Sequence, residues 1–272
     1  MSRIAHRFAD LKVQGRRALI PYVTAGDPRP EHTVPLMHAM VAAGVDLIEL
    51  GVPFSDPMAD GPVIQQACER ALEHHVSLHN VLRMVAEFRE KDQDTPVVLM
   101  GYLNPVEIMG YAAFAHEAAA VGVDGVLTVD LPPEEGHDLV QALKAQAVDP
   151  IFLLSPTSTE ARIQAICQAA SGFVYYVSLK GVTGAATLDV DAVAAKLAEI
   201  RRYAQTPVGV GFGISDAQTA ARVASVADAV VVGSAIVRRI AENVTQPEVG
   251  HEQIAALLRS MREAMDAAVK AA

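Results

Sequence analysis

Eight short, nearly continuous apolar runs recur along this chain of 272 residues, at 18–24, 46–50, 96–100, 125–129, 150–154, 173–178, 207–212 and 229–232. Longer, alanine-rich stretches with apolar residues at helical spacing lie between and after them, at 33–43, 63–74, 78–91, 111–120, 134–146, 159–169, 190–204, 216–224 and 251–270. The runs do not alternate apolar with polar residues, which is the pattern of parallel strands buried on both faces. Each strand-plus-helix unit has about 34 residues, an ordinary size for such a repeat. Eight of them close most economically into an α/β structure of the (β/α)8 TIM-barrel type, with an open doubly wound sheet as the competing arrangement.

Three echoes support the repeat. Ala43-Gly44-Val45-Asp46, Val121-Gly122-Val123-Asp124 and Ser225-Val226-Ala227-Asp228 each end a helix and open a strand. Glycine just after a helix explains two of them as short αβ turns. Ile4, Phe8 and Leu11 repeat at helical spacing behind Ser2, which predicts an extra N-terminal helix capped by that serine. No composition shift or low-complexity linker divides the chain, so residues 1–272 are expected to form a single barrel domain.

Several function classes are excluded early. A net charge of −10 argues against a nucleic-acid footprint and against an anionic membrane surface. No apolar run approaches the roughly 18 residues of a membrane span, and residues 1–17 lack the apolar core of a secretory signal. Cys68 and Cys167 form no CxxC and no metal-ligand spacing. Both are expected to be buried free thiols, which fits a cytoplasmic protein.

In a barrel, chemistry sits at the C-terminal ends of the strands and in the loops that follow. Glu49 lies inside an apolar strand there, where an ionised carboxylate is costly to bury. The loop after it carries Asp56 and Asp60 among three prolines and two glycines, so its backbone is restricted. Glu49 and Asp60 therefore read as an acid–base pair at the barrel mouth. Bland alternatives are a structural buried acid for Glu49, an N-cap of the helix starting near Pro62 for Asp60, and a turn acid for Asp56.

A second constellation is glycine-rich. Gly181-Val182-Thr183-Gly184, Gly211-Phe212-Gly213 and Gly233-Ser234 follow strands six, seven and eight. The short helix expected at 235–240 would offer its free N–H groups and positive dipole end to a phosphate. Tyr22, Met100, Tyr102, Leu127, Val129, Leu153, Phe173, Tyr175, Tyr176 and Phe212 lie in or at the ends of strands, where an aromatic and aliphatic mouth suits a flat apolar group. Alternate positions among them must instead face the helices. The histidines have no metal-binding spacing, and Lys180, the one lysine to consider for a Schiff base, reads instead as a mobile loop charge near the phosphate.

These residues stand in motifs. Ile20-Pro21-Tyr22-Val23-Thr24-Ala25-Gly26-Asp27-Pro28, Glu49-Leu50-Gly51-Val52-Pro53-Phe54-Ser55-Asp56-Pro57 and Ala59-Asp60-Gly61-Pro62 closely resemble the tryptophan synthase alpha chain family. So do Gly101-Tyr102-Leu103-Asn104-Pro105, Asp130-Leu131-Pro132-Pro133-Glu134-Glu135, Gly181-Val182-Thr183-Gly184 and Gly209-Val210-Gly211-Phe212-Gly213-Ile214, in family order over about residues 7–262. The resemblance implies retro-aldol cleavage of indole-3-glycerol phosphate to indole and glyceraldehyde 3-phosphate, with no metal or organic cofactor in this chain. It implies that Glu49 shuttles protons and that Asp60 accepts a hydrogen bond from the indole N–H. Gly184, Gly213, Gly233 and Ser234 would hold the phosphate, and Tyr22, Met100, Leu127, Tyr175 and Phe212 the indole. Tyr22 stands where the family commonly has phenylalanine. The implied partner is a beta chain that carries pyridoxal phosphate, in an alpha2beta2 tetramer. Residues 53–60 and the turn at 104–105 match the partner-contact region, and Thr183 belongs to the mobile lid. The alternatives are a stand-alone lyase of the same chemistry, a non-catalytic phosphate-binding barrel, and another sugar-phosphate isomerase or aldolase.

Overall fold

All eight apolar runs form strands, and each pairs in parallel with its neighbour in chain order until β8 closes on β1. The computed structural model describes residues 2–178, 189–211 and 213–270. The strands are β1 Ala18–Thr24, β2 Ile48–Gly51, β3 Val97–Gly101, β4 Gly125–Thr128, β5 Asp149–Leu154, β6 Val174–Val177, β7 Val208–Gly211 and β8 Ala229–Val232. The helices are α1 Arg3–Val13, α2 Thr33–Ala42, α3 Pro62–Glu73, α4 Leu78–Arg89, α5 Leu103–Met109, α6 Tyr111–Ala120, α7 His137–Ala145, α8 Glu160–Ala169, α9 Val190–Ile200, α10 Ala217–Ala224, α11 Ser234–Glu242 and α12 Pro247–Lys270. The expected (β/α)8 barrel, its extra N-terminal helix and the short helix after strand eight are all present. No helix among the described residues is long and apolar enough to cross a membrane.

Successive strand residues point to opposite sides of the barrel wall. Ala18, Ile20, Val98, Leu127, Ile151, Tyr175, Ala229 and Val231 fill the interior. Leu19, Ile48, Leu50, Val97, Val126, Phe152, Tyr176, Val210 and Val230 pack outward under the helices. This double burial is why the strand runs are apolar at every position. Helix α1 closes the N-terminal end: Ser2 caps it by accepting from the Ala5 N–H, and Ile4, Phe8 and Leu11 plug the interior. Phe8 meets Phe173 there at 5.9 Å between ring centroids.

The same end is pinned by acids. Asp46 accepts the Leu19 N–H at 2.8 Å, Asp124 the Val97 N–H at 2.8 Å, and Asp228 the Val208 N–H at 3.0 Å. Each acid thus ties the start of its own strand to the strand before it, and each faces an arginine. Arg262 of α12 meets Asp46 at 2.9 Å, Arg89 of α4 meets Asp124 at 2.7 Å, and Arg201 meets Asp228 at 3.3 Å. The Val-Asp and Ala-Asp echoes of the sequence are these pins, while Gly44 and Gly122 supply the positive φ that ends the preceding helix.

Some expectations need correction. Residues 103–109 form helix α5, where a turn was expected at 104–105. Pro105 is compatible because it falls in the first turn, where a backbone N–H has no helical partner to lose. Helix α7 starts at His137 rather than 134, α9 ends at Ile200 rather than 204, and α12 starts at Pro247 rather than 251. Cys68 is buried as expected, but Cys167 is only half-buried.

Candidate active site

Glu49 sits in the middle of β2, paired in register with Tyr22 on β1 and Val98 on β3. Its neighbours Ile48 and Leu50 face the helices, so Glu49 faces the interior. It is 1% exposed, and its Oε1 has no hydrogen-bond partner among the described residues. Burial, reinforced by the nearby charge of Asp60, raises its carboxyl to a pKa of about 8. At neutral pH Glu49 is therefore a protonated acid with a free oxygen inside the barrel.

Asp60 ends the loop that leaves β2. The Tyr102 hydroxyl donates to Asp60 Oδ2 at 2.9 Å, and the same hydroxyl oxygen accepts the Ala59 N–H at 3.0 Å. The Asp60 N–H donates to the Pro57 carbonyl at 3.0 Å, and the Gln65 side chain donates to the Asp60 carbonyl at 2.8 Å. Helix α3 begins at Pro62, but its N-cap is Gly61 and no side chain caps it. The capping alternative for Asp60 is thus not what its carboxylate does. Burial raises its pKa, and the Tyr102 hydrogen bond opposes the rise by favouring the charged form. Asp56 is exposed and accepts from the Ser55 hydroxyl at 2.6 Å, as a turn acid does.

Around this pair the interior is aromatic and aliphatic. Tyr22 packs with Ala67 and Val237, with Val63, Ile64 and Met100 beside them. Its hydroxyl lies 3.1 Å from Thr24 Oγ1. Leu127 and Tyr175 belong to the interior cluster, and Met100, Val129 and Leu153 pack against it. Burial first, then the charges of Glu49 and Asp60, hold the Tyr175 hydroxyl well above its ordinary pKa. Two residues of the expected lining lie elsewhere: Tyr176 faces the helices, and Phe173 lies at the floor against Phe8.

Gly213, at φ +75, follows the end of β7, and Gly233 immediately precedes α11, whose first residue is the exposed Ser234. A Cβ on Gly233 would lie 3.7 Å from the Tyr22 Cβ, so the start of α11 adjoins the aromatic part of the mouth. Thr183, Gly184, Phe212 and Lys180 lie outside the described residues. Among those described, no cluster of three or more His, Cys, Asp or Glu is placed to hold a metal ion.

A cleft of about 550 Å³ opens on the opposite, N-terminal face, lined by Arg3, His6, Arg7, Asp10, Asp46 and Asp94 among others. Its charges are mixed, and Arg3 and Asp46 are already engaged in the floor pins. The unpaired buried acid is at the other end. Tyr102 is the residue that sequence reasoning underrated. It appeared as a strand-end aromatic and as a motif residue without a role of its own, and no spacing rule joins a tyrosine to an acid 42 positions away.

Known proteins resemble this chain over nearly its whole length. The family model described as tryptophan synthase alpha chain matches residues 8–266. A tryptophan synthase alpha chain of Thioalkalivibrio sulfidiphilus is 74% identical over 98% of this chain and 100% of its own length. The crystal structure of tryptophan synthase subunit alpha from Legionella pneumophila superposes with a TM-score of 0.92 at 45% identity, covering 98% of this chain and 99% of that one. A chain in the crystal structure of the tryptophan synthase complex from Pyrococcus furiosus gives 0.80 at 34% identity, over 90% and 98%.

Proposed function

Since this chain belongs to the tryptophan synthase alpha chain family, we propose that Glu49 and Asp60 are the two acids with which it works. The chain is a lyase subunit that cleaves indole-3-glycerol phosphate in tryptophan biosynthesis. One observation carries the assignment: Glu49 is buried in the interior with an unpartnered oxygen and a pKa near 8.

An aryl carbon is a poor leaving group until it is protonated. Protonated Glu49 gives its proton to indole C3, which leaves positive charge on the ring. The Glu49 carboxylate so formed then removes the proton of the adjacent glycerol hydroxyl. The C–C bond breaks, its electrons return to the ring, glyceraldehyde 3-phosphate leaves with the new carbonyl, and Glu49 ends protonated as it began. Asp60 accepts the indole N–H and offsets the ring charge at the stage where it is greatest. The two carboxyls suit different roles because their environments differ: among the described residues Glu49 Oε1 has no donor to favour its anion, and Asp60 has the Tyr102 hydroxyl.

The phosphate is assigned to the backbone of Gly184, Gly213, Gly233 and Ser234, with the N-terminus of α11 facing it. The indole is assigned to Tyr22, Met100, Leu127, Tyr175 and Phe212, and Thr183 to closure over Asp60. The chemistry uses proton transfer alone, so this chain needs no cofactor. Pyridoxal phosphate is assigned to a partner beta chain that receives the indole, within an alpha2beta2 tetramer in the cytoplasm. The likeness to a chain of the Pyrococcus furiosus complex supports a partner. So do Met58 and Ile108, two large apolar side chains left 86% and 83% exposed. Residues 1–272 are read as one domain because the barrel is closed by its first and last strands.

The test is indole release from indole-3-glycerol phosphate, with and without a beta chain. Glu49→Gln should lower turnover by about 100-fold or more. Near-normal release by that variant would remove Glu49 from the mechanism. High turnover without a beta chain, unchanged on adding one, would make the chain a stand-alone lyase.

A further inference from the structure

We propose that Tyr102 is the positioning residue for Asp60, its single hydroxyl locking both the loop and the carboxylate at its end. The inference rests on the reading of Asp60 as the anion that meets the indole N–H.

The argument starts from hydrogen count. The Tyr102 hydroxyl has one hydrogen to give. The Ala59 N–H can only donate, so at 3.0 Å it uses a lone pair of the tyrosine oxygen. A carboxylate can only accept, so the one hydrogen goes to Asp60 Oδ2 at 2.9 Å. The bonding pattern therefore has a single sense and leaves no rotational alternative. It occupies Oδ2 and leaves Oδ1 without another hydrogen bond among the described residues, so one oxygen is held and the other is presented.

Tyr102 is itself firmly placed. It is buried, and it stands between the end of β3 and α5 as the N-cap residue of that helix. The next N–H, of Leu103, donates to Asp130 Oδ1 at 2.9 Å. Its ring stacks on Phe54 with centroids 5.1 Å apart and planes at 25°. Phe54 is near the start of the loop after β2, and Ala59 and Asp60 are at its end. One side chain thus touches both ends of that loop and fixes its last carboxylate to a different strand. Holding a charged group before the transition state forms is where such a contact acts on rate.

Tyr102→Phe removes the hydroxyl and keeps the ring stack. Assayed in the full chain with a beta chain present, it should lower kcat about 10-fold and change KM less than 2-fold. It should also move the acid limb of the kcat–pH profile up by about one pH unit, because the lost donor favoured the charged form. Four other titratable groups sense Asp60: Glu49 on β2, Tyr22 on β1, Tyr175 on β6 and Cys68 on α3. This variant leaves all of them unchanged. In an Asp60→Asn background, Tyr102→Phe should cost little more. An unmoved acid limb, or the same loss of kcat with Asp60→Asn already present, would overturn the proposal and reduce Tyr102 to a packing residue. Asp60→Asn turning over at the wild-type rate would be a separate failure, of the Asp60 assignment itself.

Discussion

The Tyr175 hydroxyl fills the space that a side chain on Gly211 would occupy, and a Cβ there would lie 2.6 Å from Tyr175 Cζ. Tyr22 stands over Gly51 in the same way, at 2.7 Å. Both pairs follow one rule of register. Tyr175 is level with Gly209 and Tyr22 with Glu49, so the next inward position on each neighbouring strand must be empty. Each interior tyrosine thus requires a glycine at the end of the strand beside it.

Gly211→Ala should therefore displace the Tyr175 ring. Overpacking of this kind costs about 1–3 kcal/mol, read as a lower urea midpoint, and indole release should fall about 10-fold or more. Adding Tyr175→Leu should restore much of the midpoint without restoring activity. An unchanged midpoint for Gly211→Ala alone would show that the tyrosine is not confined.

Glu49 should couple activity to stability through pH. Its folded pKa, about 8, is above the ordinary glutamate value of 4.5. The folded state therefore holds a proton that the unfolded chain releases. The stabilisation this gives is full below about pH 4.5 and is lost as pH rises to about 8. Glu49→Gln removes the dependence. Its gain over wild type should be small at pH 5 and on the order of a few kcal/mol at pH 9, measured by urea unfolding. In wild type, kcat/KM should decline above about pH 8 as the acid is lost. Equal stability differences at the two pH values would contradict the shifted carboxyl.

The phosphate assignment predicts a split between two changes at Ser234. Ser234→Ala keeps the backbone N–H and should leave KM for indole-3-glycerol phosphate within about 2-fold. Ser234→Asp puts a negative charge at the helix start, where it competes with the phosphate, and should raise KM about 10-fold or more with less effect on kcat. Similar KM values for the two variants would place the phosphate elsewhere.

At the floor, Arg262→Leu leaves Asp46 buried without its cation. Removing one partner of a buried pair typically costs about 3–5 kcal/mol. The variant should unfold at lower urea while retaining kcat at low temperature, since the pair is at the far end of the barrel from Glu49. A lost kcat in protein that is still folded would mean that the floor reaches the chemistry.

The barrel was legible because burial on both faces writes a distinctive apolar run, and the eight strand centres agree with those runs. Glu49 was legible because an acid stands out in such a run. Helix α5 was hidden by Pro105, which reads as a turn until its place in a first turn is known. Asp60 was ambiguous because Asp-Gly-Pro suits a helix start, and only a tyrosine from another strand decides where the carboxylate goes. The floor aspartates were visible as an echo, but their bonds to Leu19, Val97 and Val208 belong to the register of neighbouring strands, which local spacing does not contain.

The Asp46–Arg262 pair has a consequence for how the chain is made. Its two members are 216 residues apart. At a synthesis rate of 5–20 residues per second, Asp46 waits roughly 10–40 s before Arg262 is even polymerised. Throughout that time the growing chain lacks the cation that its second strand is built to meet. The last helix therefore acts as a latch that the ribosome delivers at the end, and a nascent chain cut short before residue 262 would have Asp46 buried against Leu19 with no cation from α12 to meet it.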